Sequence, residues 1–152
     1  MLASMKPTPT VAQMLLANGA DPTVANRLGC TSLHVAAAYG RFEVARVLVK
    51  AGGVLDGKNK AGQTPMFVGC EGGHVKVVRH FLSNGGVPSL TSKNGRTTLH
   101  AASFGGSVQL CQLLKRASKG HADFKVNRLR HLHLCGPFWT RLSAVHTPHT
   151  PC

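Results

Sequence analysis

The chain has 152 residues, with 18 Lys plus Arg against 5 Asp plus Glu, so it is one domain's worth of protein with a net charge of +13 when the histidines are neutral. It is 43% apolar, yet it is only 5% aromatic and holds 17 glycines, which points to a core of small aliphatic side chains packed closely and away from bulky-core sandwiches and barrels. The carboxylates, at positions 21, 43, 56, 71 and 123, never fall close together, so paired-acid glycoside chemistry and the oxygen cages of calcium or magnesium are poorly supplied.

Residues 1–10 read as a lead, with Lys6, Pro7 and Pro9 ahead of an apolar run, Val11 to Ala17, that is too brief for a signal peptide or a membrane span. The cysteines, at 30, 70, 111, 135 and 152, are odd in number and scattered, unlike a small secreted disulfide scaffold. Both observations favour a reducing compartment, cytoplasm or nucleus.

From residue 19 onward the chain repeats itself. Gly29, Gly62 and Gly95 lie 33 residues apart, each followed two places later by Thr31, Thr64 or Thr97, and eleven places later by Gly40, Gly73 or Gly106. Gly19, Gly52 and Gly85 form a third series with the same period. The stretches Thr31 to Tyr39, Thr64 to Gly72 and Thr97 to Gly105 each open on a threonine suited to capping a helix and continue through small residues, so they read as first helices. Pro65 suits a first helical turn, and the glycine at 40, 73 or 106 turns the chain. Val44, Val47 and Leu48, then Val77 and Phe81, then Leu110, Leu113 and Leu114 recur with helical spacing and predict second helices of about ten residues.

Thr31-Ser32-Leu33-His34-Val35-Ala36-Ala37, Thr64-Pro65-Met66-Phe67 and Thr97-Thr98-Leu99-His100-Ala101-Ala102 resemble the Thr-Pro-Leu-His-x-Ala-Ala signature of the ankyrin repeat family. The resemblance implies an all-α solenoid, a right-handed stack of helix pairs with protruding hairpins that presents a concave face to another macromolecule. Over residues 11–118 it divides the chain into repeats at 26–58, 59–91 and 92–118, preceded by a half repeat at 11–25 that aligns with a second helix. Position 7, which should be the turn glycine, is proline, so the array is expected to begin halfway through a unit. In the middle repeat the signature histidine becomes Phe67, and the alanine pair becomes Gly69-Cys70, which weakens helix propensity by up to ~1 kcal/mol for the glycine. His80 and Lys115 stand where other repeats are apolar, so the third repeat is expected to end badly. Three and a half units without polar caps sit close to the minimum for a stable solenoid.

His34 and His100 have the residue type for a catalytic pair or a metal site, but the resemblance gives them a structural task, bonding across turns to hold the hairpins. Cys70 and Cys111 align with small apolar residues and read as core. Cys30 lies between a hairpin glycine and a threonine, where exposure and a partner-facing or reactive thiol are expected. Arg27, Lys60 and Lys93 follow the 33-residue period and predict one cation per hairpin tip, a row with Arg96 and Lys58 nearby that would attract an acidic surface. The alternative is that these are ordinary solvated tip residues. Tyr39 and Phe104, at the ends of first helices, are candidate anchors beside Glu71, and Leu28, Gln63 and Asn94 complete the partner-binding set on the hairpins. Arg46 and Arg79 read as solvent-facing on the second helices. No Gly-x-x-x-x-Gly-Lys-Ser/Thr loop and no Gly-x-Ser-x-Gly elbow occurs, so no cofactor, small-molecule substrate or catalytic activity is expected.

After residue 118 the period vanishes, and residues 119–152 form a basic tail with five of the nine histidines. Three readings compete for it: a metal site from His131, His133 and Cys135 or from His146, His149 and Cys152, a recruitment motif near Leu134, or unrelated sequence joined by altered splicing or truncation. Residues 1–118 carry 13 basic and 4 acidic side chains, so most of the charge belongs to the repeats. The sequence thus predicts a non-catalytic scaffold or adaptor that binds another, acidic protein through hairpin tips and the concave helix face. The alternative is a nucleic-acid or anionic-surface binder driven by the +13 charge.

Overall fold

The computed structural model describes residues 9–118, which form seven helices: α1 Pro9–Ala17, α2 Ser32–Ala38, α3 Phe42–Lys50, α4 Pro65–Glu71, α5 Val75–Ser83, α6 Thr98–Phe104 and α7 Val108–Ser118. The first helices α2, α4 and α6 begin after Thr31, Thr64 and Thr97, whose backbones are extended as a helix N-cap requires. In the middle repeat the Thr64 hydroxyl accepts from the Phe67 amide at 3.2 Å, and Pro65 occupies the first turn.

The second helices bury one stripe each at matching positions: Val44, Ala45 and Leu48 on α3, Val77, Val78 and Phe81 on α5, Leu110, Cys111 and Leu114 on α7. This spacing of one and four residues puts three side chains on one helical face and leaves the opposite face to solvent. The chain therefore builds two layers. Helices α2, α4 and α6 pack in succession, helices α1, α3, α5 and α7 pack in succession beside them, and each first helix packs on its own second helix. Helix α1 stands in line with the second helices, as its alignment requires, and exposes Met14 and Leu15. Position 7 lies outside the described residues, and with it the expected half-repeat start.

The nine glycines of the three periodic series are the residues with positive φ among those described, between 63° and 88°. Such angles cost other residues a steric penalty, so the period in the sequence is a record of where the backbone turns. Gly62 has a second constraint: at φ +75°, an added Cβ would sit 2.7 Å from the Lys93 backbone nitrogen in the next hairpin.

In the middle repeat Met66, Phe67 and Phe81 are the large buried side chains, and the neighbouring Gly69 meets Ala37 and Val78 so closely that a Cβ there would lie 3.3 Å from a Val78 methyl. The departure at Gly69-Cys70 thus answers a packing demand alongside its helix-propensity cost. At the end of the third repeat α7 runs to Ser118, and Lys115, in the register where Val49 and Leu82 pack against the core, is exposed in the last turn beside Arg116. Cations suit a helix C-terminus, and this position needs no burial at the outer end of the described stack.

Candidate hairpin and first-helix interface

Each hairpin is closed by the same two backbone bonds. Asn26, Asn59 and Ser92 donate to the carbonyls of Cys30, Gln63 and Arg96 at 2.9 to 3.0 Å, and the glycines at 29, 62 and 95 donate back across the turn. The side-chain oxygen of Asn26 accepts from the amides of Leu28 and Cys30, and that of Asn59 from the amides of Ala61 and Gln63, all at 2.9 to 3.0 Å. Adjacent hairpins are stitched directly: Lys60 N donates to Leu28 O at 2.9 Å, and Lys93 N to Ala61 O at 3.0 Å.

This stitching fixes the side chains the sequence singled out. Arg27, Lys60 and Lys93 are exposed at equivalent places on successive hairpins, with Leu28 and Asn94 exposed beside them. Tyr39 is 51% and Phe104 70% exposed. They fall two repeats apart and one row out of step, with Glu71 in the row of Phe104 and glycines in the row of Tyr39. The Arg96 guanidinium lies over the Phe104 ring, 5.5 Å from its centre, so a hairpin and the end of its first helix are tied by a cation and an aromatic face.

Two expectations are corrected. Cys30 is half-buried, and its sulfur accepts from the Asn59 side-chain amide at 3.7 Å, because the next hairpin leans over it. Gln63 faces inward in part: its side-chain oxygen accepts from Asn59 at 3.1 Å and its carbonyl from His34. Lys58, near the row of tip cations, is exposed, and its ammonium donates to the Thr91 carbonyl at 3.2 Å in the following loop.

His34 is buried, and its Nδ1 accepts from the Thr31 amide at 3.1 Å. That bond leaves the proton on Nε2, which donates to Gln63 O of the next repeat at 3.0 Å. Burial pushes its pKa below the ordinary histidine value, against the opposing pull of the carbonyls it touches. His100 repeats the arrangement with Thr97 at 3.2 Å. His74 donates from Nε2 to Ala38 O of the preceding repeat at 3.0 Å. These rings are bonds between turns and between repeats. Cys70 and Cys111 are buried, and burial, with Cys111 nearby, raises the Cys70 thiol to about 12, so it is an unreactive core group.

Sequence reasoning missed the turn-forming role of Asn26 and Asn59, although an Asn or Ser at the 33-residue period was visible. It named Arg96 and Phe104 without pairing them. Among the described residues no cluster of His, Cys, Asp or Glu is arranged to hold a metal, and no helix is long and apolar enough to cross a membrane. The histidine and cysteine sets of the tail lie outside the described residues.

No curated protein matches the chain. The family model described as ankyrin repeats in three copies matches residues 1–92, and the hairpin and helix pair beyond it repeat the same caps, turns and layer packing. The chain belongs to the ankyrin repeat family, whose members are typically non-catalytic and generally serve protein–protein interaction.

Proposed function

We propose that this chain is a scaffold or adaptor module that binds an acidic segment of a partner protein across its hairpin tips and the ends of its first helices. The observation that carries this reading is the Arg96–Phe104 pair, an exposed ring held in place under a guanidinium beside the row of tip cations. A partner carboxylate meeting Arg96 would bring its apolar neighbours onto the Phe104 ring, and Tyr39 offers a second amphipathic anchor two repeats away. Arg27, Lys60 and Lys93 would mainly raise the association rate. Because hairpins are stitched to one another before any partner arrives, little ordering cost falls on binding. In this reading the module works in the cytoplasm or nucleus, where scattered cysteines stay reduced.

Affinity capture with the full chain, followed by binding kinetics with the captured partner, tests this reading. Replacing Arg27, Lys60 and Lys93 with alanine should slow association at low salt, and replacing Phe104 with alanine should speed dissociation. Unchanged rates in both variants would remove the hairpin tips and Phe104 from the interface.

A further inference from the structure

The second helices carry a charge pattern that recognition through hairpins does not use. Six exposed basic side chains stand on them, Arg46 and Lys50 on α3, Lys76 and Arg79 on α5, Lys115 and Arg116 on α7, against one acid, Glu43. The first helices α2, α4 and α6 hold no lysine or arginine. Because α3, α5 and α7 pack side by side and bury their apolar stripes inward, Arg46, Lys50, Lys76, Arg79 and Arg116 share one outer face, and Lys115 lies on its flank.

The charges spread in two dimensions over that face. In repeat register Arg46 and Arg79 stand in one row across helices, Lys50 and Arg116 in a second, and Lys76 and Lys115 each in another. Neighbouring helix axes lie about 10 Å apart, so the cations cover an area. A single track of nucleic-acid phosphates would engage one row at a time, whereas a plane of anionic headgroups meets all of them. The aromatic rings of these helices are poorly offered for stacking on an unpaired base: Phe81 is buried, and Phe42 is half-buried against the core and perpendicular to the His80 ring, 5.6 Å between centres. The field on this face is positive at close range. His80, between α3 and α5, has a buried Nε2 with no hydrogen-bond partner, and burial followed by the charges of Arg46 and Lys50 lowers its pKa. Glu43, paired with Arg46 at 2.7 Å, cancels one positive charge and leaves the face strongly cationic.

We propose that the second-helix face adsorbs electrostatically to an anionic membrane surface, leaving the hairpins on the opposite layer free. This goes beyond the protein-binding reading and does not depend on it. The interaction is adsorption without insertion, because the exposed residues of this face are basic or polar apart from Val108 at the start of α7.

The test is co-sedimentation of the full chain with phosphatidylcholine vesicles containing about a third phosphatidylserine, in about 0.1 M salt, beside vesicles of phosphatidylcholine alone. Binding to the anionic vesicles only is expected. The double variant Lys76→Gln/Arg79→Gln should weaken partition by roughly 25-fold, about five-fold per charge. The triple variant Arg27→Gln/Lys60→Gln/Lys93→Gln on the hairpins should bind nearly as well as the parent chain. Residues 119–152 are unchanged in every protein compared, so their charge cancels, and far-UV circular dichroism checks that the surface variants stay folded. The proposal is overturned if the double variant binds like the parent, if the hairpin variant loses binding instead, or if the second-helix charges prove to govern binding to duplex DNA and not to vesicles.

Discussion

The two layers of the stack are held in register by different physics. On the first-helix side, successive repeats are joined by directional bonds: His34 to Gln63 O, His74 to Ala38 O, Lys60 N to Leu28 O and Lys93 N to Ala61 O. The second helices instead meet through the apolar stripes of α3, α5 and α7, while cations occupy their outer surface. Directional bonds tolerate little displacement, and apolar contacts between helices tolerate more, so the first-helix side is where the stack is geometrically specified. The second-helix side is where its surface is free to vary.

The sharpest way to break this contrast uses the repeat that departs from the pattern. Phe67 and Phe81, one from each layer, are both buried, and truncating either to alanine should cost about 3–5 kcal/mol. Phe67→His should behave differently. It restores the ring that in the first repeat accepts from Thr31 N and donates to Gln63 O, with Thr64 N and Arg96 O as the corresponding partners here. Each such bond contributes about 1 kcal/mol, so urea denaturation should find Phe67→His far closer to the parent chain than Phe67→Ala. Equal losses would mean that volume, and not directional bonding, governs the first-helix layer.

A smaller effect separates backbone approach from backbone conformation at one turn. A Cβ on Gly105 would lie 2.6 Å from the Glu71 carbonyl oxygen and 2.9 Å from that of Cys70, so Gly105→Ala must push α6 away from α4. Overpacking of this kind costs about 1–3 kcal/mol, and a backbone neighbour that cannot rotate aside favours the upper end. The next residue, Gly106, has φ +67° and open space around it, so Gly106→Ala carries only the conformational penalty, about 1 kcal/mol. Thermal denaturation should rank Gly105→Ala below Gly106→Ala, and the reverse order would show that the two first helices are not in close approach.

The pH response should also come from the first-helix side. Burial lowers the pKa of His34 from its ordinary 6.5, so the unfolded chain takes up a proton at a pH where the folded chain does not. Stability is therefore complete above about pH 6.5 and declines as pH falls toward the folded-state value, by up to about 1.4 kcal/mol per pH unit for one such proton. His80 shifts in the same direction, but it is only half-buried and should contribute less. His34→Phe, which copies Phe67 of the next repeat, should flatten the decline in urea midpoint between pH 7 and pH 5. A decline of unchanged steepness would assign the response elsewhere.

Much of this architecture was legible because a repeat makes backbone demands visible. The nine periodic glycines coincide with the positive φ angles, and the threonines with the first-helix caps, because each is a local requirement that one residue type satisfies. What the sequence concealed lies between repeats. Lys58 finds Thr91 O, Asn59 covers the Cys30 thiol, and His80 packs at right angles to Phe42, each joining residues about one period apart or more. Alignment on the period gives a residue its place within a unit, but no information on what the next unit puts against it. For that reason the row Arg27, Lys60 and Lys93 was readable, whereas the bonds that engage Lys58 and Gln63 with neighbouring hairpins were not.

The smallest predicted effect lies on the outer surface. Glu43 and Arg46 form an ion pair at 2.7 Å with both side chains nearly half exposed, three residues apart on α3. Solvent screens such a pair, and its contribution to stability should not exceed about 0.5 kcal/mol. Glu43→Gln removes it and simultaneously deletes the one acid of the second-helix face. Denaturation should therefore barely move, while partition to anionic vesicles should rise, since Arg46 is released and the face gains a unit of net charge. A loss of stability well above 0.5 kcal/mol would mean that the outer surface is as tightly specified as the hairpin side, which would remove the contrast between the layers.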